Sequence, residues 1–384
     1  MAVKKIKYRA ILRQNENCPI FTPNSISLTQ ISVIIVSFNA PCFLQVCLES
    51  VRDALKGLRG EIIVIDNAST DHNVEMIRQD FPEVELTANS ENTGFSKAVN
   101  QGVKQARGEY ILILNPDSVL PEDGLSKILA YAETQENLGA VGCRFIDGTG
   151  ALLPECKRNF PGIRSAVSKL FGLNWGYYAD HIDEGEVAQV EVLTGAFMLI
   201  RRELFNRMKG FDERFFMFGE DIDLSYRIHK EGFRNRYYGK VSMIHFKGES
   251  TVRDASYLKH FYGALEIFYL KHYRNTVLGR SALKLLVSGV VRFRSIMLPS
   301  ERRSDEPLSG DLLLLDSRNL SFADIVRSFD IQSSQVRKRI VSRSGDFYIG
   351  SDDPSRSGVV QLMGGGRSEA DPGIDGNNAR RTGH

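Results

Sequence analysis

The sequence has little cysteine and no long apolar run, and both absences narrow the class of protein. Its 384 residues include five cysteines, which show neither paired metal-ligand spacing nor a dense framework, so we expect reduced thiols and no disulfide. No stretch reaches the length of a membrane-spanning helix, and the N-terminus lacks the apolar core and cleavage site of a signal peptide. We therefore expect a cytoplasmic protein that is neither secreted nor anchored by a transmembrane helix.

Charge of one sign is also lacking. The formal net charge is +2, with 25% charged and 42% hydrophobic residues, an ordinary composition for one large domain or two smaller ones. This balance argues neither for nor against nucleic acid, and no other feature predicts a nucleic-acid partner. The glycine-rich loops G-x-G-x-x-G and G-x-x-x-x-G-K-[ST] are both absent after the first predicted strand, which argues against a dinucleotide oxidoreductase and a P-loop enzyme.

What is present is an alternation of buried strands and helices. Residues Ile31–Val36, Glu61–Asp66, Tyr110–Leu114 and Ala140–Phe145 are runs rich in apolar residues, typical of strands buried on both faces of a parallel sheet. Helical spacing of apolar residues separates them. The pattern predicts an α/β fold with a doubly wound, mostly parallel sheet, in which ligands bind beyond the carboxyl ends of the strands.

Polar residues stand immediately after three of these strands. Phe38 with Asn39, Asp66 with Asn67, and Asp117 all follow predicted strands, so we expect them to converge on one crevice. Asn and Asp are also common turn residues, and a single occurrence would favour that simpler interpretation. Three successive occurrences favour a ligand site.

The stretch Gly210–Asp223 concentrates five acidic side chains among four aromatic ones. A helix is predicted from Glu220 to Glu231, and Asp221 shares the inward face of Leu224. A carboxylate at the edge of a core holds a proton more tightly, which suits a general base. The alternative is that acids in a first helical turn only complement the helix dipole.

The chain between residues 147 and 188 is less regular and predicts a variable loop region without assignable chemistry. Beyond it, Val241–His245 predicts a strand that ends on a histidine. A single histidine there is more often a satisfied polar residue than a metal ligand.

Taken in order, the motifs resemble a known family. They are Val36–Asn39, Ile65–Ser69, Asn92–Phe95 continuing to Asn100, Asn115–Asp117, Gly219–Asp221 with Asp223, and His245 with Gly248 and Ser250. From Ile31 to about Lys247 the chain resembles the inverting family 2 glycosyltransferases of the GT-A fold, most closely the bacterial rhamnosyltransferase-like branch.

The resemblance implies a donor site and a metal site. It assigns nucleotide-sugar binding to Phe38, Asn39, Asp66, Asn67, Asn92, Gly94, Asn100 and Asn115. It implies that Asp117 and His245 hold Mg²⁺ or Mn²⁺ between the donor phosphates. Two residues depart from the pattern: Asn115 replaces the first acid of Asp-x-Asp, and Asn67 stands where many members have a second acid.

The resemblance also implies the reaction. Asp221 is the implied general base, with Glu220 and Asp223 placing the base or the acceptor. The implied function is inverting, metal-dependent transfer of a single sugar, best guessed as rhamnose, from a dTDP- or UDP-linked donor to a polyprenyl-diphosphate-linked or oligosaccharide acceptor in bacterial cell-surface polysaccharide synthesis. A single transfer is expected because the processive motif Gln-x-x-Arg-Trp is absent. The alternatives are a noncatalytic nucleotide-sugar-binding protein and a sugar nucleotidyltransferase.

Four regions are predicted: an N-terminal extension (1–30), the GT-A catalytic domain (31–250), a basic amphipathic helical segment (251–303), and a low-complexity tail (304–384). The tail is predicted to be disordered, with at most one short element over Leu312–Leu315 and Phe322–Phe329. Basic side chains dominate residues 257–303, where Glu266 and Glu301 are the only acids. Such a segment suits an anionic membrane surface, so we expect peripheral binding at the inner face of the cell membrane. The alternative is a helix packed on the catalytic domain.

Overall fold

The computed structural model describes residues 29–161, 176–247, 255–272, 311–331, 336–351 and 359–362. Nine strands form its main sheet: β1 (Ile31–Ser37), β2 (Gly60–Asp66), β3 (Glu85–Ala88), β4 (Tyr110–Leu114), β5 (Ser118–Val119), β6 (Leu138–Ile146), β7 (Val187–Val190), β8 (Phe197–Arg201) and β9 (Arg234–His245). The helices among them are α1 (Pro41–Ala54), α2 (Asn73–Asp80), α3 (Phe95–Gln105), α4 (Gly124–Thr134), α5 (Arg202–Arg207) and α6 (Glu220–Lys230).

The main sheet has the order β3-β2-β1-β4-β8-β6-β9-β5, and β7 pairs with β9 outside this path. Strands β3, β2, β1 and β4 are parallel to one another. Beyond β4 the sheet is mixed, because β8 is antiparallel to both its neighbours while β6 and β9 are parallel. The predicted doubly wound α/β fold is confirmed.

The parallel half is a buried core, as its sequence pattern predicts. Every residue of β1 and β4 is buried, so side chains on both faces of these strands are covered and contribute to folding through removal of apolar surface from water. The register pairs Ser37 with Asp66. The polar residues that follow β1 and β2 therefore leave the sheet at the same level.

Helix α7 (Ala255–His272) follows the main sheet in the chain. Its residues Ala264 and Phe268 join a small apolar cluster with Phe215 and Ile222, the latter on α6. Residues 255–272 of the predicted basic segment therefore form a helix that packs on the main domain, which was the alternative prediction. Residues 273–303 lie outside the described residues.

The predicted disorder of residues 304–384 is wrong for much of the described part. Strands β10 (Leu312–Asp316), β11 (Arg337–Val341), β12 (Phe347–Gly350) and β13 (Val359–Leu362) form a second sheet, with helix α8 (Phe322–Ile331) between β10 and β11. We call these elements the C-terminal module. The prediction failed because the apolar residues are short runs diluted by Ser, Arg and Asp, and their core is completed by another part of the chain.

That core is shared with the catalytic domain. Phe43 and Val46 of α1 and Phe246 after β9 pack with Phe322 and Phe329 of α8. Glu122 accepts hydrogen bonds from the backbone N–H groups of Phe322 and Ala323, so it satisfies two of the donors that the first turn of α8 leaves without helical partners.

No helix among the described residues is long and apolar enough to cross a membrane. Cys42, Cys47, Cys143 and Cys156 are free thiols. The predicted extension before residue 29, Trp175, and the motif residues Gly248 and Ser250 lie outside the described residues.

Candidate active site

The turns after β1 and β2 are tied together by short polar contacts. Asn39 adopts a positive φ of 51°; its backbone N–H donates to Ser69 Oγ at 3.0 Å, and its Oδ1 accepts from the Thr70 N–H at 2.8 Å. Asp66 Oδ2 accepts from the Ser69 N–H at 2.9 Å, whereas its buried Oδ1 makes no hydrogen bond within the described residues. The structure thus brings Asn39 and Asp66 to one sheet edge, next to the half-buried Phe38.

Asn67 is the centre of a second polar network at this edge. Its Nδ2 donates to Asn92 Oδ1 at 2.8 Å, and its Oδ1 accepts from Asn89 Nδ2 at 3.2 Å and from the Thr93 N–H at 3.0 Å. Asn92 Oδ1 also accepts from the Gly94 N–H at 3.0 Å. Asn67 and Asn92 therefore shape the wall of the crevice by holding the loop before α3.

Gly94 joins this loop to the acidic stretch. Its φ is +83°, and a Cβ there would lie 2.6 Å from the carbonyl oxygen of Phe216. The next residue, Phe95, donates its N–H to that same oxygen at 2.7 Å. Only glycine allows the two backbones to approach this closely without strain.

The Asn100 amide, predicted to frame the nucleotide pocket, is fully hydrogen-bonded to the start of the acidic stretch. Its Nδ2 donates to the Phe211 carbonyl at 2.9 Å and to Glu213 Oε1 at 3.0 Å, and its Oδ1 accepts from the Phe211 N–H at 2.9 Å. Both ends of the amide are committed, because the residue clamps the start of the acidic stretch. Asn100 thus holds the loop on which the acidic residues stand.

Asp117 and His245 lie close together where β5 pairs with the end of β9. Antiparallel pairing of β5 with β9 puts Ser118 opposite His245, and the Phe246 N–H donates to the Asp117 carbonyl at 3.0 Å. The side chains face each other with Asp117 Oδ1 and His245 Nε2 3.3 Å apart. Asn115 Nδ2 lies 3.2 Å from the same His245 nitrogen.

These two side chains fit a shared divalent cation. Two ligands about 2.1 Å from one cation at a right angle lie about 3.0 Å apart, close to the observed 3.3 Å. The His245 Nδ1 is buried without a hydrogen-bond partner in the described chain. Within those residues no group of three or more His, Cys, Asp or Glu could hold a metal ion, so a cation here would need further ligands from a substrate.

The remaining part of the site is centred on Asp221, at the start of α6. Gly219 precedes α6 with a left-handed φ of 81°, and both Glu220 and Asp221 are buried at the first turn of the helix. Asp221 Oδ2 lies 2.6 Å from Arg158 Nη2 and accepts from the Gly195 N–H at 3.3 Å, while Oδ1 accepts from the Ile222 N–H at 2.7 Å. Its charge is thus compensated by a buried guanidinium.

Glu220 lies in a different electrostatic environment from its neighbour. Burial, and next the charge of Asp221, raises the pKa of the Glu220 carboxyl to about 8, although Arg158 opposes the shift. Its Oε2 has no hydrogen-bond partner among the described residues. The Glu220 carboxyl therefore keeps its proton at neutral pH.

Asp223, predicted to place the base or the acceptor, is paired with three basic side chains. It is fully buried, with Oδ1 2.7 Å from His272 Nε2 and 2.8 Å from Lys271 Nζ, and Oδ2 2.7 Å from Arg227 Nε. Burial raises the pKa of Asp223, but the hydrogen bond from His272 and the charges of Arg227 and Lys271 outweigh it and lower the pKa overall. Asp223 attaches the end of α7 to α6.

A short segment before β8 joins the residues around Asp117 and His245 to Asp221. The Asn115 N–H donates to the Ala196 carbonyl at 3.0 Å, and the preceding Gly195 donates to Asp221. A connected path therefore runs from Asp117 through His245, Asn115 and this segment to Asp221. The residues after β1, β2 and β4 leave the sheet at the same edge, because these strands are adjacent and parallel; their convergence on one crevice stays a prediction.

Two residues of the site were missed by sequence reasoning. Arg158 and Tyr177 lie in the part that was interpreted as a variable loop, and Arg158 Nη1 donates to the Tyr177 hydroxyl at 3.0 Å. The only signal was a pair of adjacent basic residues, Lys157 and Arg158, in an otherwise irregular stretch. Such a pair is usually solvent-exposed, so it did not predict a buried ion pair.

The comparisons with known proteins bear on this geometry. Residues 32–208 match the family model described as glycosyl transferase family 2. The matched segment includes Asp66, Asp117 and Arg158 but ends before Asp221 and His245. This match therefore does not test the roles predicted for Asp221 and His245.

Two curated relatives are similar over parts of the chain. The N-acetylglucosaminyl-diphospho-decaprenol L-rhamnosyltransferase of Mycobacterium tuberculosis is 29% identical over 264 residues, which cover 63% of this chain and 85% of the relative. The rhamnosyltransferase WbbL of Escherichia coli is 32% identical over 155 residues, which cover 38% of this chain and 56% of the relative.

Among solved structures, the mannosyltransferase PcManGT from Pyrobaculum calidifontis in complex with GDP-Man and Mn²⁺ is similar with a TM-score of 0.46 and 17% identity. The alignment covers 77% of this chain and 83% of that one.

Proposed function

The chain is a glycosyltransferase of family 2, similar to the rhamnosyltransferases, and from this premise we propose a specific reaction. It transfers a single sugar, rhamnose, from a nucleoside-diphosphate donor to a polyprenyl-diphosphate-linked or oligosaccharide acceptor of a bacterial cell-surface polysaccharide, with inversion at the anomeric carbon. The observation that carries the proposal is the connected path from Asp117 to the buried Asp221 across the end of the sheet.

The donor occupies the edge formed by the ends of β1 and β2. Phe38 offers a ring for stacking on the nucleobase, and Asp66 keeps one buried oxygen without a hydrogen bond in the described chain, suited to accept from a nucleobase or ribose donor. Asn67 and Asn92 hold the facing loop through their own contacts. A thymidine or a uridine carrier is compatible with this chemistry.

The diphosphate lies toward Asp117 and His245. These two residues would hold a Mg²⁺ or Mn²⁺ ion, for which oxygen and imidazole ligands are suited. Such an ion would supply positive charge for the departing diphosphate. With Asp117 as the only acid of the Asn115–Asp117 motif, the metal affinity of the free protein is modest.

Asp221 acts as general base on the acceptor. The acceptor hydroxyl gives its proton to Asp221 as its oxygen forms a bond to the anomeric carbon from the face opposite the diphosphate. The bond from that carbon to the diphosphate oxygen breaks, and the nucleoside diphosphate leaves with the electron pair. Base catalysis of this kind contributes about 10² to 10⁴ in rate.

The donor half of the proposal is tested by calorimetric titration with dTDP and UDP, each with and without Mg²⁺. We expect binding of one nucleotide that strengthens with the metal and is lost in Asp117→Asn. A matched control is Asp123→Asn, whose carboxylate is half exposed on an ion pair with Lys127. Absence of binding to either nucleotide under all conditions would contradict the donor site.

The transfer half is tested with dTDP-rhamnose and an N-acetylglucosaminyl-diphosphate lipid. We expect Asp221→Asn to keep donor binding and to lose at least about 100-fold in kcat, while Asp123→Asn transfers at the normal rate. Near-normal turnover of the Asp221→Asn variant would remove Asp221 from the role of base.

Peripheral membrane binding through residues 273–303 belongs to the same proposal, because a polyprenyl-linked acceptor is met at the bilayer. The support is the basic composition of this segment. Sedimentation with liposomes should show binding to anionic vesicles that weakens as salt rises. Equal partitioning onto neutral and anionic vesicles would contradict it.

A further inference from the structure

Arg158 and Asp221 form an ion pair that neither the fold nor the proposed reaction requires. Nη2 and Oδ2 are 2.6 Å apart, and both side chains are less than a tenth exposed. Two ions buried together lose hydration that their attraction only partly restores. A pair of this kind at the first turn of a helix, on the residue placed to accept a proton, calls for a functional reason.

The guanidinium is held from several sides. Nη1 donates to the Tyr177 hydroxyl at 3.0 Å, and Nη2 also donates to the Leu193 carbonyl at 2.9 Å. The backbone of Arg158 exchanges two hydrogen bonds with Val192, of 3.2 and 3.0 Å. Arg158 is therefore locked onto the segment whose Gly195 also donates to Asp221.

The Nε–H of Arg158 is the exception. It is buried and has no hydrogen-bond partner among the residues the structure describes. A buried donor left unpaired costs about 1–3 kcal/mol. The presence of an arginine at this energetic cost indicates a role beyond packing, because an apolar side chain of similar volume would avoid the cost.

The charges around Asp221 explain what Arg158 adds. On α6 the neighbours are Glu220, which is buried against it, and Asp223, whose charge is matched by Arg227 and, from α7, by Lys271 and His272. The Gly195 segment contributes only backbone N–H and C=O groups. Arg158 is thus the cation that directly contacts Asp221.

We propose that Arg158 is a positioning residue for the acceptor-activating carboxylate: it keeps Asp221 charged beside Glu220 and directs Oδ2 toward the Gly195 segment. The inference rests on the proposed function of Asp221 as base. Burial and the charge of Asp221 raise the pKa of Glu220, so Glu220 holds its proton more tightly than an exposed glutamate does. Tyr177 supports the guanidinium through its hydroxyl.

The test compares Arg158→Gln and Arg158→Lys by transfer kinetics over pH 5 to 9. For Arg158→Gln we expect kcat to fall about 100-fold, the acid limb of the kcat profile to move to higher pH, and the affinity for the nucleoside diphosphate to stay unchanged. Lysine keeps the charge but not the planar fork, so Arg158→Lys should restore the acid limb and recover only part of kcat.

The matched control is Arg144→Gln. Arg144 is a mostly buried arginine, paired with Asp330 at 2.7 Å and Glu184 at 2.6 Å on the face toward the C-terminal module. Its loss should lower stability without moving the pH profile. Guanidinium added to Arg158→Ala should restore part of kcat and should do nothing for Arg144→Ala.

An unchanged acid limb and kcat in Arg158→Gln, with Asp221→Asn inactive, would overturn the role of Arg158 and leave the proposed function intact. An active Asp221→Asn would instead overturn the proposed base. If the Arg158→Gln variant does not fold, Tyr177→Phe is the deciding test. Removing this support of the guanidinium should lower kcat several-fold and leave the donor affinity unchanged. An unchanged kcat would count against the inference.

Discussion

Phe246, the residue after His245, packs edge-on against Phe329 of the C-terminal module, with ring centroids 6.3 Å apart and planes at 86°. On its other side Phe246 meets Phe43 of α1 at 5.2 Å. The residue that follows the candidate metal ligand is therefore held between two parts of the chain that are about 280 positions apart in sequence. The C-terminal module thereby supports the end of β9.

Phe329→Ala should lower the free energy of unfolding and disturb the arrangement of Asp117 and His245. Phe329 is fully buried, and removal of such a ring costs about 3–5 kcal/mol. We also expect weaker metal-dependent nucleotide binding, measured by calorimetry beside a urea unfolding curve. The control is Phe81→Ala, an equally buried ring in the other core cluster, which should lose stability but keep nucleotide affinity. Equal effects of both variants on nucleotide binding would contradict a local role of Phe329.

Gly94→Ala should disturb the contact between the loop before α3 and the acidic stretch Gly210–Asp223. The added Cβ would lie 2.6 Å from the Phe216 carbonyl oxygen at a φ of +83°, so backbone strain and a steric clash add. Gly57→Ala is a close control, because its φ is +82° and nothing lies within 4 Å of its Cβ. We expect a loss of about 1 kcal/mol for Gly57→Ala and a larger loss, with weaker nucleotide binding, for Gly94→Ala. Thermal unfolding and calorimetry measure both.

Glu49→Gln should stabilise the protein at alkaline pH. Burial raises the pKa of Glu49 to about 7, although Arg343 partly offsets the shift. Below the usual glutamate pKa of about 4.3 the carboxyl is protonated in both folded and unfolded chains, so it does not affect stability. As pH rises toward 7 the unfolded chain releases this proton first, and the folded state loses stability.

The gain of Glu49→Gln over the natural residue should therefore grow from pH 4 to pH 7 and then stay constant, at up to about 3 kcal/mol. Chemical unfolding at a series of pH values measures it. Glu83→Gln, at a carboxylate nearly half exposed in its pair with Arg52, should differ from the natural protein by less than about 0.5 kcal/mol throughout. A gain that is independent of pH would exclude titration of Glu49 as the cause.

Asp223→Asn should detach α7 from α6. Removing this carboxylate leaves Arg227, Lys271 and His272 without their shared anion, and breaking a buried ion pair costs about 3–5 kcal/mol. Because the folded-state pKa of Asp223 is lowered, its contribution is present above the usual aspartate pKa and lost as pH falls below it. The deficit of the variant should shrink on acidification. Asp123→Asn is the exposed control, with no resolved loss.

The fold of the main sheet, and the edge at which polar residues follow its strands, could be predicted from the sequence because they depend on local pattern. The apolar runs of β1 and β4 specify buried parallel strands, and a polar residue directly after such a strand must lie at its carboxyl end. Asn39, Asp66, Asn67 and Asp117 were placed correctly on this argument.

The tertiary structure decided what each polar side chain contacts. Asn100 and Asp223 carry the residue types of a substrate site, yet one clamps a loop and the other binds three cations. Arg158 gave no periodic signal, because an ion pair between residues 158 and 221 depends on how two distant segments meet. The order of the C-terminal module likewise depends on Phe43 and Phe246, which lie outside it.

The sequence by itself determined the secondary structure of the main sheet and the sheet edge at which polar residues collect, since hydrophobic periodicity acts over a few residues. Only the tertiary structure decided that burial raises the pKa of Glu220, which amides are committed, and which part of the C-terminal third is ordered. These outcomes depend on burial and on charges brought together from far apart in the chain, and neither quantity exists until the chain is folded.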